Sequence, residues 1–105
     1  MLIAEIGLNH LGDIHHAREL FNCVMNSDAD AVTFQIREEE FYNNSKFSNM
    51  KLPLQIYQMF AKESKKLNKK FGIALSDINL FNFFESIDVD FYKILSKDLN
   101  DHNFL

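Results

Sequence analysis

Two charged side chains interrupt apolar stretches of this 105-residue chain and are the first candidates for chemistry. Glu5 lies within the run LIAEI at 2–6, and Lys93 lies within the run FYKIL at 91–95. Because parallel strands buried in a sheet are nearly all apolar, a full charge in such a run needs an explanation. The two charges could form a structural ion pair, although buried ion pairs are seldom retained for stability. One of them could instead lie at an exposed strand end. A Glu and a Lys that converge at strand ends suit an anionic, polar ligand better.

Strand-like and helix-like segments alternate along the chain. Short apolar, β-branched and aromatic runs predict four strands, at 2–6, 31–36, 71–75 and 91–95. Apolar residues at helical spacing predict three helices, at about 14–27 after the N-cap Asp13, at 53–67 beginning with Pro53, and after a cap at Ser76 or Asp77. The polar residues 37–51 are predicted to form a long loop.

The order β-α-β-α-β-α-β predicts an α/β fold with a parallel sheet and right-handed crossovers. Active sites in such folds lie beyond the carboxyl ends of the strands. Side chains alternate between the two faces of a strand, and the bulky apolar face is expected to pack on the helices. This alternation assigns four polar residues to the other face: Glu5, Thr33, Gln35 and Lys93.

Composition limits the classes of function. The net charge of −4 argues against nucleic-acid binding, because no basic field attracts phosphates. The single cysteine, Cys23, is predicted to be a core residue and fits a reducing cytosol. No run of residues is long and apolar enough to predict a membrane span or a signal peptide, so a cytoplasmic location is expected. Three glycines and one proline leave no flexible linker, which predicts one domain over 1–105.

Three segments resemble the sialic acid synthase family, which makes N-acetylneuraminic, legionaminic and pseudaminic acids. The opening IAEIGLNHLGD at 3–13 is similar to the start of that family's barrel. DADAVTFQ at 28–35 and FYKILSKDL at 91–99 are similar to its second-strand and fourth-strand motifs, in the same order and at fitting distances. The resemblance implies the first half of a TIM (β/α)8 barrel, a fold that needs about 250 residues when complete.

The resemblance also implies a reaction. The family condenses phosphoenolpyruvate with an N-acetylated amino sugar to a nine-carbon 2-keto sugar acid, and phosphate leaves. A divalent metal, Mn or Mg, acts as a Lewis acid on the sugar aldehyde. The family's metal-binding histidines lie in the second half of the barrel, so no metal ligand is expected in these 105 residues.

Site residues are carried over by position. The resemblance implies that Glu5 is the acid/base or water-orienting carboxylate and that Gln35 holds the sugar. Lys93 and Ser96 are implied to bind the phosphate of phosphoenolpyruvate, and Asp98 to contact the sugar. The remaining two implied residues shape the loop and the pocket floor: Asn9 and His10. His15, His16 and His102 are predicted to be surface residues.

The chain departs from the family's motifs at several positions. Thr33 stands where the family has a Lys that helps bind the anionic substrate, Ala74 where it has a phosphate-binding Thr, and Lys97 where it has a Gly. These changes leave three hypotheses open. In the first, the chain is an incomplete or inactive synthase-like protein that forms a homo-oligomer or pairs with a complementing half-barrel. In the second, it is a non-catalytic descendant that binds a sugar acid or a protein. In the third, it is an unrelated open-sheet module such as a receiver-like domain.

Overall fold

A computed structural model of the chain describes residues 1–93, which alternate between strands and helices as predicted. The elements are β1 Ile3–Gly7, α1 Ile14–Met25, β2 Ala31–Ile36, α2 Glu39–Asn43, a 3-10 turn Ser48–Met50, α3 Leu54–Lys66, β3 Lys70–Leu75, a 3-10 turn Ile78–Leu80, α4 Phe81–Ser86 and β4 Phe91–Lys93. The end of the fourth predicted strand lies outside the described residues.

The four strands form one parallel sheet in the order β1-β2-β3-β4. Sequential order with right-handed crossovers places every helix on the same face, as in a barrel. The predicted α/β class is therefore confirmed. A receiver-like domain is inconsistent with this sheet, because such domains have the strand order 2-1-3-4-5.

The core lies between the sheet and helices α1 and α3, and aromatic rings fill it. Phe34 on β2 stacks on Phe60 of α3 with ring centroids 5.4 Å apart, and Phe60 stacks on Phe21 of α1 at 4.2 Å. All three side chains are buried. Burying rings of this size removes a large apolar area from water, so this cluster fixes both helices on the sheet.

The helix ends follow local sequence signals. Asp13 caps α1, and its Oδ1 accepts hydrogen bonds from the backbone N–H groups of His15 and His16 at 2.9 and 3.2 Å. Asp77 caps the 3-10 turn before α4 by accepting from Asn79 N at 3.0 Å. None of the helices within residues 1–93 is long and apolar enough to cross a membrane.

Three local predictions are wrong. The segment 37–51 is not entirely loop, because it contains α2 and a 3-10 turn, held by a buried Tyr42 whose hydroxyl accepts from Arg37 N at 3.1 Å. The helix predicted at 53–67 ends one residue earlier, at Lys66, and Leu67 is its C-cap residue, 54% exposed. Cys23 is exposed rather than in the core.

Candidate functional site

The polar residues that alternation assigned to one face of the sheet line a common pocket. This pocket has a volume of about 60 Å³. Strand alternation places its polar side chains on the face of the sheet opposite the aromatic core. Thr33 is buried in the pocket and Gln35 is half-buried, whereas Glu5 and Lys93 are more exposed. Its lining residues are Glu5, Gly7, Thr33, Phe34, Gln35, Ala74 and Lys93.

The register of the strands shows which of these residues lie beside one another in the sheet. Gln35 on β2 pairs with Ala74 on β3, and Ala74 pairs with Lys93 on β4. Glu5 on β1 pairs with Thr33, one inward-facing position below Gln35. The site therefore holds one carboxylate, one ammonium, one amide and one hydroxyl. Together these groups can donate hydrogen bonds to a polar ligand and accept hydrogen bonds from it.

Glu5 and Lys93 form an ion pair, with Lys93 Nζ donating to Glu5 Oε1. They lie on the two outer strands of the sheet, which would be about 14 Å apart in a flat four-stranded sheet. Side chains stand roughly perpendicular to a sheet, so this contact requires the sheet to curve toward the pocket. Such curvature is what a closing barrel needs.

A second inward-facing contact lies below the ion pair. Phe91 on β4 is in register with Gly72 on β3, and its ring atoms lie 2.4 Å from where a Cβ at Gly72 would be. A larger residue at position 72 would collide with the ring. The glycine therefore lets Phe91 cover part of the inner face with an apolar side chain.

The exposure of the ion pair limits its contribution to stability. The Lys93 and Glu5 side chains are 49% and 57% exposed, so solvent screens their attraction and the pair contributes about 0–1 kcal/mol. Of the explanations that the sequence left open, the structure shows the ion pair, which is half-exposed rather than buried. The ligand site stays a prediction.

We expect Glu5→Gln and Lys93→Met each to change the free energy of unfolding by less than about 1 kcal/mol, measured by urea denaturation. Glu63→Gln is a matched control, because it breaks the ion pair of Glu63 with Arg18 on the helical surface, whose side chains are 38% and 34% exposed. A loss of about 3 kcal/mol or more in a pocket variant alone would contradict the prediction and indicate a buried pair.

His10 is completely buried but does not line the pocket. Its Nδ1 accepts a hydrogen bond from Gly12 N at 2.9 Å, so the proton of the neutral ring lies on Nε2. Within the described residues Nε2 has no hydrogen-bond partner. Burial, aided by the nearby His16, lowers the pKa of His10 to about 4. The residue thus supports the loop after β1 through its hydrogen bond with Gly12.

The other carried-over residues are less informative. Asn9 is exposed and lies outside the pocket lining, and its backbone N–H donates to Ile6 O at 3.0 Å. Ser96 and Asp98 lie outside the described residues. Within residues 1–93 no three His, Cys, Asp or Glu side chains are grouped closely enough to hold a metal ion.

Gly12 is a structural residue that sequence reasoning missed. Its φ is +78°, and a Cβ there would lie 1.6 Å from the carbonyl oxygen of Asn49. The loop after β1 is thus packed against the 3-10 turn Ser48–Met50. The glycine itself was visible in the sequence, but the segment that covers it lies far along the chain and carries no local signal.

Comparisons with known proteins find curated relatives that are sialic acid synthases. No protein-family model matches the chain. N-acetylneuraminate-9-phosphate synthase of Mus musculus is 28% identical over 123 residues, which cover 99% of this chain and 34% of that protein. The corresponding protein of Homo sapiens is 27% identical with the same coverage. The chain thus spans about a third of the length of these curated relatives.

Two solved structures share the fold. N-acetylneuraminic acid synthetase from Leptospira borgpetersenii serovar Hardjo-bovis, in complex with citrate, matches 93% of this chain and 36% of its own with a TM-score of 0.79 and 28% identity. The spore coat polysaccharide biosynthesis protein spsE of Bacillus subtilis matches 95% of this chain and 30% of its own, with a TM-score of 0.73 and 26% identity. The resemblance recognised in the sequence is confirmed over nearly the whole chain.

Proposed function

Because the chain resembles sialic acid synthases from end to end, we propose that it provides the N-terminal half of such a barrel in carbohydrate biosynthesis. The proposed reaction is the condensation of phosphoenolpyruvate with an N-acetylated amino sugar to a nine-carbon 2-keto sugar acid. The observation that carries the proposal is the convergence of Glu5, Gln35 and Lys93 in one pocket on the inner face of a curved parallel sheet.

Each side chain has a role that its chemistry suits. The Lys93 ammonium can bind an anionic group of phosphoenolpyruvate, with Ser96 as a second donor in the proposed site. The amide of Gln35 can both donate to and accept from sugar hydroxyl groups. Glu5 can exchange a proton with the reacting groups or orient a water. Asp98 is proposed to contact the sugar.

We propose that these 105 residues bind phosphoenolpyruvate and the amino sugar but do not catalyse their condensation. Thr33 and Ala74 add no positive charge to the pocket, so Lys93 is the single cation among its lining residues within 1–93. The sheet also has two outer strands, β1 and β4, at which a closed barrel would continue. We propose that a second copy, a separate polypeptide or further sequence completes the single barrel domain and supplies any metal ligands.

We expect phosphoenolpyruvate at millimolar concentration to raise the melting temperature of the chain, because a ligand that binds the folded state stabilises it. Lys93→Met should abolish the shift, whereas Lys62→Met, which removes an exposed charge from α3, should preserve it. The same sample, given N-acetylmannosamine and manganese or magnesium, should form no sugar acid. If the parent formed sugar acid above the level of a no-enzyme control and Glu5→Gln did not, the proposed lack of catalytic activity would be wrong. A melting temperature that phosphoenolpyruvate leaves unchanged would contradict the proposed site.

A non-catalytic sugar-acid-binding role is the second candidate, and the missing cation at Thr33 favours it. The product-like ligand N-acetylneuraminate carries one carboxylate and several hydroxyl groups, which a pocket with one ammonium and one amide can satisfy. If N-acetylneuraminate raises the melting temperature more than phosphoenolpyruvate at equal concentration, this second function is the better account.

A further inference from the structure

We propose that Glu5 is an internal competitor for the Lys93 ammonium and thereby sets the affinity of the pocket for anions. An anion that binds Lys93 has to displace the Glu5 carboxylate, and binding frees that carboxylate. The inference rests on the anion site of the proposed function and adds a specificity-determining role for Glu5.

The geometry supports competition because the ion pair lies inside the pocket. Glu5 and Lys93 are both lining residues, and the contact between them spans the inner face from β1 to β4. With the pair formed, the pocket has a volume of about 60 Å³, which is small beside the roughly 300–1,000 Å³ of ordinary small-molecule sites. A ligand that binds the ammonium from within the pocket therefore competes with the carboxylate for it.

The energetics make displacement feasible. Both side chains are about half-exposed, so water already screens the pair and can solvate the carboxylate when it leaves. The cost of displacement corresponds to an affinity for anions that is lower by up to about fivefold. A carboxylate that remained nearby would add repulsion of the same sign. Removing its charge should therefore tighten anion binding.

Release of Glu5 has a consequence for chemistry. While Lys93 Nζ donates to Glu5 Oε1, that carboxylate oxygen is occupied. If an arriving anion takes over Lys93, the oxygen is released to contact the reacting groups. The two roles proposed for the pocket, anion binding and proton exchange, are then ordered by one contact.

The test is a titration of the full chain with inorganic phosphate at fixed ionic strength. Changes in NMR chemical shifts measure the phosphate affinity. Glu5→Gln should bind phosphate about three- to fivefold more tightly than the parent, and Lys93→Met should not bind it measurably. Glu63→Gln is the matched control, because it also removes one carboxylate from a half-exposed ion pair but lies on the helical surface. It should bind like the parent. Glu5→Ala, which removes the carboxylate without an amide, should tighten binding in the same direction.

The outcomes separate the two proposals. Equal phosphate affinity in the parent and in both Glu5 variants would overturn the competition but leave the anion site intact. Equal tightening in Glu5→Gln and Glu63→Gln would show a net-charge effect and would also overturn it. If neither the parent nor any Glu5 variant bound phosphate, the anion site of the proposed function would fail as well.

Discussion

Replacing Gly12 by Ala is expected to lower the free energy of unfolding by about 2–5 kcal/mol. The left-handed backbone at Gly12 accounts for about 1–2 kcal/mol, because a side chain at φ +78° crowds its own peptide unit. The clash accounts for about 1–3 kcal/mol, because the new Cβ would lie 1.6 Å from the carbonyl oxygen of Asn49 and 2.9 Å from the Cα of Met50. Backbone atoms cannot rotate away as a flexible side chain can. Urea denaturation measures the loss.

Gly7→Ala is the matched control for the backbone contribution. Gly7 also has a left-handed backbone, with φ +58°, but nothing lies within 4 Å of a Cβ placed there. This variant should lose only the conformational part, about 1–2 kcal/mol. Equal losses in the two variants would show that the turn Ser48–Met50 does not press on the loop after β1.

The fold could be predicted because its signals are local. The run AVTFQI at 31–36 is β-branched and apolar, and it forms β2 with the predicted bounds. The convergence of Glu5 and Lys93 needed only two steps: alternation put both on the face away from the helices, and parallel strands brought them into one sheet. The prediction of four polar residues on one face agrees with the pocket lining.

What the sequence could not show depends on contacts between distant residues. Helix α2 begins within a run of three glutamates at 38–40. Its five residues include one buried side chain, Tyr42, which is too few to show a helical period in the sequence. The Glu5–Lys93 contact joins residues 88 apart and depends on sheet curvature, which no strand encodes alone. His10 was a site candidate by resemblance, but it is completely buried, and the Phe34 ring centroid lies 6.1 Å from its own.

The loop after β1 links these structural residues to the proposed site. It begins at the carboxyl end of β1, the strand that carries Glu5, and contains both His10 and Gly12. The hydrogen bond from Gly12 N to His10 Nδ1 holds the loop to itself. The close approach of the Asn49 backbone to Gly12 holds the loop against the turn Ser48–Met50. A change at either residue is therefore expected to disturb the end of the strand on which Glu5 is placed.

Acidification is expected to destabilise the chain through His10 by roughly 3 kcal/mol between pH 6.5 and pH 4. In the unfolded chain a histidine takes up its proton near pH 6.5, whereas the buried ring of His10 resists protonation until about pH 4. Between these values the unfolded state binds the extra proton, so stability falls as the pH falls, by at most 1.36 kcal/mol per pH unit. Below about pH 4 the contribution of His10 to the pH dependence ends.

Urea denaturation at a series of pH values measures this effect, and two variants isolate it. His10→Phe keeps a ring of similar shape but cannot be protonated, so its stability should fall less steeply between pH 6.5 and pH 4 than that of the parent. His15→Gln removes an exposed histidine two residues after the loop and should retain the parental slope. If His10→Phe and the parent showed the same slope, carboxylates elsewhere would carry the acid sensitivity, and the buried ring would not be the group that titrates.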